Sequence, residues 1–142
     1  YLRARRYERP LSLGMLDIDH FKRLPDPYGH PAGDYALVEV AKVIKFTLRR
    51  HDFVARYGGE EFVMVLPETP ADRALLAFER VRSNIETAEI IFDGKRLPVT
   101  VSLGVASCPH QLLTKGQDLI TLADTALYDA KRSGRNRVVA AL

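Results

Sequence analysis

Four carboxylates mark the ends of two apolar runs in this chain. Asp17 and Asp19 close the run from Leu11 to Ile18, and Glu60 and Glu61 open the run from Phe62 to Leu66, directly after Arg56-Tyr57-Gly58-Gly59. The first run is nearly continuous, as expected of a central strand covered on both faces. An acid at the end of such a strand needs a partner, because burial strips the charge of its hydration. A hard divalent cation such as magnesium is one, since it takes carboxylate and carbonyl oxygens while keeping water and phosphate in its shell. Side chains alternate along a strand, so Glu60 falls on the face of Phe62 and Met64 and Glu61 on that of Val63 and Val65; the two acids have different tasks. Asp19 would share the face of Asp17 if the strand continued, but it precedes the helix-compatible His20-Phe21-Lys22-Arg23-Leu24, and the N-cap is the favoured of the two readings. Plain solvation beside a turn is the alternative for the glutamates, and the acidic pair at Asp17 weighs against it.

The elements that must position these groups follow from periodicity. Gly58-Gly59 between Phe53–Tyr57 and Phe62–Leu66 predicts a hairpin whose two central residues take positive φ. Leu24-Pro25-Asp26-Pro27-Tyr28-Gly29-His30 is a stiff, turn-rich loop. Residues 34–50 place Leu37, Val40, Ala41, Ile44 and Leu48 on one helical face, with Asp34 at or near the N-cap. A second helix over 71–86 turns Ala74, Phe78, Val81 and Ile85 inward and leaves Arg80 exposed. Asp93-Gly94 predicts a short hairpin between Glu89–Phe92 and Arg96–Val105, the latter a buried strand. A third helix over 117–132 carries Leu119, Ile120, Ala123, Ala126, Leu127 and Ala130, with Gly134 as its stop. Residues 1–9, with Arg3, Arg5, Arg6 and Arg9, read as a helix end closed by Pro10, and residues 138–142 as a last strand. This order implies an α/β (α+β) domain with a mainly antiparallel central sheet covered by helices.

Composition sets the outer bounds. A chain of 142 residues fits one domain with a packed core, and 46% hydrophobic with 27% charged residues excludes general disorder. No apolar run approaches the roughly 18 residues of a membrane span. The single Cys108 forms no internal disulfide, which fits the cytoplasm. A formal charge of +3 suits an anionic ligand but is too small an excess to imply nucleic acid. No Gly-x-x-x-x-Gly-Lys-Ser/Thr loop is present, which weighs against a P-loop nucleotidase. Several basic residues have bland readings: Arg49 and Arg50, like Lys131 and Arg135, stand near helix C-termini where cations complement the dipole.

Taken together, the motifs resemble one family. Gly58-Gly59-Glu60-Glu61-Phe62 closely resembles the signature of GGDEF-type diguanylate cyclases. It is accompanied in family order by Asp17-Ile18-Asp19-His20-Phe21-Lys22, Tyr28-Gly29-His30-Pro31-Ala32-Gly33-Asp34, Val101-Ser102-Leu103-Gly104-Val105 and Ala123 through Asn136. The resemblance implies a ferredoxin-like, polymerase-palm-like fold. It also implies a reaction in which two GTP become cyclic di-GMP: the 3′-hydroxyl of one attacks the α-phosphate of the other, pyrophosphate leaves, and a reciprocal step closes the ring. Metal binding falls to Asp17, the Ile18 carbonyl, Glu60 and Glu61, with two Mg2+ (or Mn2+) ions per GTP; Glu60 and Glu61 are the catalytic acids. Substrate binding falls to Lys22, His30, Asp34, Gly58, Gly59, Lys131 and Arg135. Arg49 and Asp52, with Arg80, correspond to a product-binding inhibitory site. Each domain holds one GTP, so a homodimer is implied, in a bacterial cytoplasmic protein whose upstream sensory domain and first helix start precede this fragment. That sensor is the place for any membrane tether; the domain itself needs neither membrane nor nucleic acid. One departure stands out. The family carries Asn-Asp where this chain has Pro25-Asp26, and proline offers no donor to guanine. A lost base contact forfeits about 1 to 3 kcal/mol. The departure favours an alternative: a weak or inactive domain that senses cyclic di-GMP or GTP.

Overall fold

The computed structural model describes residues 9–23, 30–108 and 116–141, with backbone alone at 23, 30, 116 and 117. The expected N-terminal helix end, the loop carrying Pro25 and Asp26, and the side chain of His30 lie outside the described residues. In chain order the elements are β1 (Leu11–Ile18), a 3-10 turn (Phe21–Arg23), α1 (His30–Thr47), β2 (Phe53–Arg56), β3 (Glu61–Pro67) and α2 (Ala71–Thr87). There follow β4 (Ile91–Phe92), β5 (Lys95–Arg96), β6 (Val101–Cys108), α3 (Gly116–Arg132) and β7 (Val138–Ala140). Five strands form one sheet in the order β2-β3-β1-β6-β7; all neighbours are antiparallel except β6 and β7. The mainly antiparallel α/β reading therefore holds.

Alternation along β1 explains how one strand serves two cores. Leu16 and Ile18 pack with α1 and α2, whereas Leu13 and Met15 pack with α3 on the other face. Asp17 follows the second set. On α2 the buried residues are Ala74, Phe78, Val81 and Ile85, the face expected from spacing, and fully burying each large one contributes about 1.5–3 kcal/mol. The third helix lies on β6 at very close range. A Cβ at Gly104 would come within 2.1 Å of the Ala123 carbonyl oxygen and the Leu127 amide nitrogen, so only glycine lets this helix approach.

Three local expectations are corrected. Neither Gly58 nor Gly59 takes a positive φ. The chain turns instead through a wider loop, residues 57–60, closed by the Tyr57 amide on the Glu61 carbonyl (2.8 Å). The Arg56 guanidinium holds it by donating to the carbonyls of Gly58 (3.1 Å) and Gly59 (2.6 Å). A loop of this width needs no mirror-image turn. The first helix begins at His30, not near Asp34, because Pro31 is tolerated in a first turn where no amide partner exists; Asp34 is thus an exposed residue in the next turn and caps nothing. Finally, Arg96–Val105 is not one strand. Asp93 and Gly94 do make the tight turn, at φ 55° and 77°, but β4 and β5 form a separate two-stranded ribbon. Pro98 stands in the break before β6, where it withholds a ladder donor.

Candidate functional site

β1 ends beside the turn that precedes β3, and the register fixes the acids. Asp17 stands directly opposite Glu61 on one side and Ser102 on the other. The Ile18 amide donates to the Glu60 carbonyl at 3.2 Å, tying the turn to the end of β1. Lys131, in the last turn of α3, donates to Asp17 Oδ2. Asp17 is 6% exposed, and its second oxygen, Oδ1, is buried without a hydrogen-bond partner. Asp17, Ile18, Lys22, Glu60, Lys131 and Arg135 share a cleft of about 230 Å³. Six of the residues singled out in the sequence are thereby brought together. Asp34 is not among the cleft's lining residues, and Glu61 lies beside it, facing Asp17 across the ladder.

The electrostatics follow from this crowding. Burial raises the Asp17 pKa, opposed by the hydrogen bond and charge of Lys131 and reinforced by the nearby Glu60 and Asp19. Burial, then the charge of Asp17, raises that of Glu61. Carboxylates held together with one oxygen buried and unsatisfied suit a hard cation. Among the described residues no group of three or more His, Cys, Asp or Glu side chains forms a ready cage. A cation here would therefore take only a minority of its ligands from the protein, as magnesium does beside substrate phosphates.

Asp19 has a role that the sequence reading missed. It caps no helix. Its Oδ1 accepts from the Ser102 hydroxyl (2.6 Å), and its Oδ2 from the Thr100 hydroxyl (2.8 Å) and the Asn136 amide (3.0 Å). Asp19 thereby joins the end of β1 to β6 and to the turn after α3. That turn carries Arg135 and Asn136 at φ 62° and 45°, and the Arg135 amide closes the helix on the Ala130 carbonyl at 2.9 Å. Asn136 is gripped in turn by Arg82 (2.9 Å) and Glu86 (2.5 Å) of α2.

A second cleft, of about 310 Å³, opens between the end of α1 and α2. Arg49, Asp52 and Arg80 all line it, together with Thr69, Arg73 and Leu76. The Arg49 amide donates to Asp52 Oδ2 at 2.8 Å, and its guanidinium to the Thr69 hydroxyl at 2.7 Å. Asp52 Oδ1 is buried and unpartnered. Nothing in the spacing of Arg73 sets it apart from a solvated arginine; only the packing angle of α2 brings it here.

A palm-like sheet that sets acids at the ends of its central strands against a lysine and an arginine defines a class of nucleotide-handling domains. Within that class, the chain belongs to the GGDEF family: the model described as "Diguanylate cyclase, GGDEF domain" matches residues 1–137. Diguanylate cyclase A of Treponema denticola is 48% identical over 128 residues, 90% of this chain and 34% of that protein. The chain thus spans about a third of that relative's length. The GGDEF domain of DgcB from Caulobacter crescentus, solved in complex with c-di-GMP, superposes with a TM-score of 0.91 at 37% identity, covering 99% of this chain and 82% of that one. A structure described as the active GGEEF domain of a diguanylate cyclase from Vibrio cholerae gives 0.90 at 35% identity, over 99% and 88% of the two chains. No helix among the described residues is long and apolar enough to cross a membrane.

Proposed function

We propose that this domain is a diguanylate cyclase that condenses two GTP into cyclic di-GMP and two pyrophosphates. The observation that carries the reading is the buried, unpartnered Asp17 Oδ1 beside Glu60 and Lys131. Asp17, the Ile18 carbonyl and Glu60, with Glu61 behind Asp17, are the groups that would hold Mg2+ or Mn2+. Such ions neutralise the triphosphate and lower the pKa of the attacking hydroxyl. Lys131 is then free to leave Asp17 for a phosphate oxygen, and Arg135 offers a second cation from the same cleft. Glu60 accepts the proton of the 3′-hydroxyl. Gly59 has nothing within 4 Å of where a Cβ would stand, so the turn leaves room for ligand. Lys22 lines the same cleft, and His30 and Asp34 belong to the base-binding side by family pattern. Each domain binds one GTP, so turnover needs two domains face to face as a homodimer, in a cytoplasmic protein driven by an upstream sensor.

The second cleft supports product inhibition. Arg49, Asp52 and Arg80 offer guanidiniums to phosphate or guanine and one open carboxylate oxygen to guanine N–H donors. Arg49→Ala should raise the concentration of cyclic di-GMP needed for half-inhibition at least about tenfold, the size of one charge-assisted contact.

The test is to incubate dimeric protein with GTP and magnesium and to measure cyclic di-GMP, with Glu60→Gln as control. Product from the wild type and none from the variant is expected; equal product from both overturns the role of Glu60. Pro25, in place of a base-binding asparagine, favours a second reading as a sensor. Nucleotide binding without any turnover of GTP would select it.

A further inference from the structure

The cleft beside Arg49 holds more positive charge than the Arg49–Asp52 motif accounts for. Arg49 is already engaged, by Asp52 at 3.6 Å and by Thr69 at 2.7 Å. Glu68, the other acid on the wall, pairs with Arg9 at 2.9 Å. Two guanidiniums remain, Arg73 and Arg80, and among the described residues neither has a hydrogen-bond or ion-pair partner. They stand seven positions apart on α2, two turns along one face and about 10 Å along the axis. Between them Leu76, 67% exposed, presents an apolar surface to the same cleft.

We infer that Arg73 is a further ligand-binding residue of this cleft, and that a cyclic dinucleotide sits with one phosphodiester on Arg80 and the other on Arg73. The inference rests on the proposed reading of the cleft as the product site. The charges match: two free cations face a ligand with two phosphodiesters, while Asp52 Oδ1 accepts from the guanine edge and Leu76 meets the ring between the phosphates. Arg49, held by Asp52 and Thr69, is then preorganised toward the base instead of being spent on a phosphate.

Calorimetric titration of this chain, freed of nucleotide, with cyclic di-GMP tests the assignment. Wild type, Arg73→Ala, Arg73→Lys and Arg49→Ala are compared at about 50 mM and about 500 mM salt. Arg73→Ala should weaken binding about tenfold at low salt. The deficit should shrink at high salt, and Arg73→Lys should recover most of it. Arg73 is exposed and unpartnered, so equal melting temperatures will confirm that the variants fold. If Arg49→Ala weakens binding and Arg73→Ala does not, the role given to Arg73 is wrong and the product site stands. If the wild type does not bind, or Arg49→Ala changes nothing, the reading of the cleft itself falls.

Discussion

Replacing Glu61 by glutamine should make the metal-free domain more stable while impairing its chemistry. Glu61 and Asp17 are directly opposed across an antiparallel ladder, a geometry that sets side chains about 5 Å apart. Two unit charges at that distance repel by about 3 kcal/mol at an effective dielectric of 20 and by less than about 1 kcal/mol in water. Glu61 is partly hydrated and Lys131 offsets Asp17, so about 1 kcal/mol is the expected gain. For a chain of this size that is about 4 °C in melting temperature. The pH dependence has a definite sign. Burial and Asp17 raise the pKa of Glu61 above its ordinary 4.5, so the native state holds this proton more tightly than the unfolded chain. That contribution to stability is complete below the ordinary value and is lost as pH rises through the raised one. In chelator at pH 7, Glu61→Gln should therefore melt higher than wild type, and near pH 4 the two should coincide. Added magnesium should stabilise the wild type more than the variant. A variant melting at or below the wild type at pH 7 in chelator would refute the opposition of charges.

Two further perturbations probe the scaffold. Gly104→Ala drives a methyl into backbone atoms of α3, which cannot rotate away; a loss of about 3 kcal/mol or more, read by urea denaturation, is expected. Asp19→Ala strands the hydroxyls of Thr100 and Ser102 and the Asn136 amide. It should cost about 2–3 kcal/mol and raise the KM for GTP by loosening the turn that carries Arg135; unchanged stability would show that water replaces the carboxylate.

The parts of the fold that the sequence made legible are those set by burial periodicity. Every inward residue of α2 was apparent from spacing alone because apolar side chains recur with the helical turn. Asp17 was legible as an anomaly, a charge at the end of a run that is otherwise buried on both faces. The misreadings share a different cause: each concerned a residue with several physically adequate roles. Gly58 and Gly59 are permissive of positive φ, yet neither adopts it, because the wider loop does not require it. Asp19 satisfies the rule for a cap, but its real donors lie more than eighty positions away, at Thr100 just before β6, in β6 and beyond α3. Arg73 drew no reading at all, being one exposed arginine among many until α2 is laid beside the turn at Arg49. Long-range geometry decides among short-range equivalents.

The ion pair between Asp17 and Lys131 joins positions 114 apart, and β1 completes its ladder only when β6 arrives. A nascent chain emerging from the ribosome therefore carries Asp17 through the synthesis of α1, β2, β3 and α2 with neither β6 nor the lysine in place. Such distant pairings close slowly, and the cleft around Asp17 is complete only once they have formed. A half-made domain therefore leaves the Asp17 carboxylate open to water until its fold is finished.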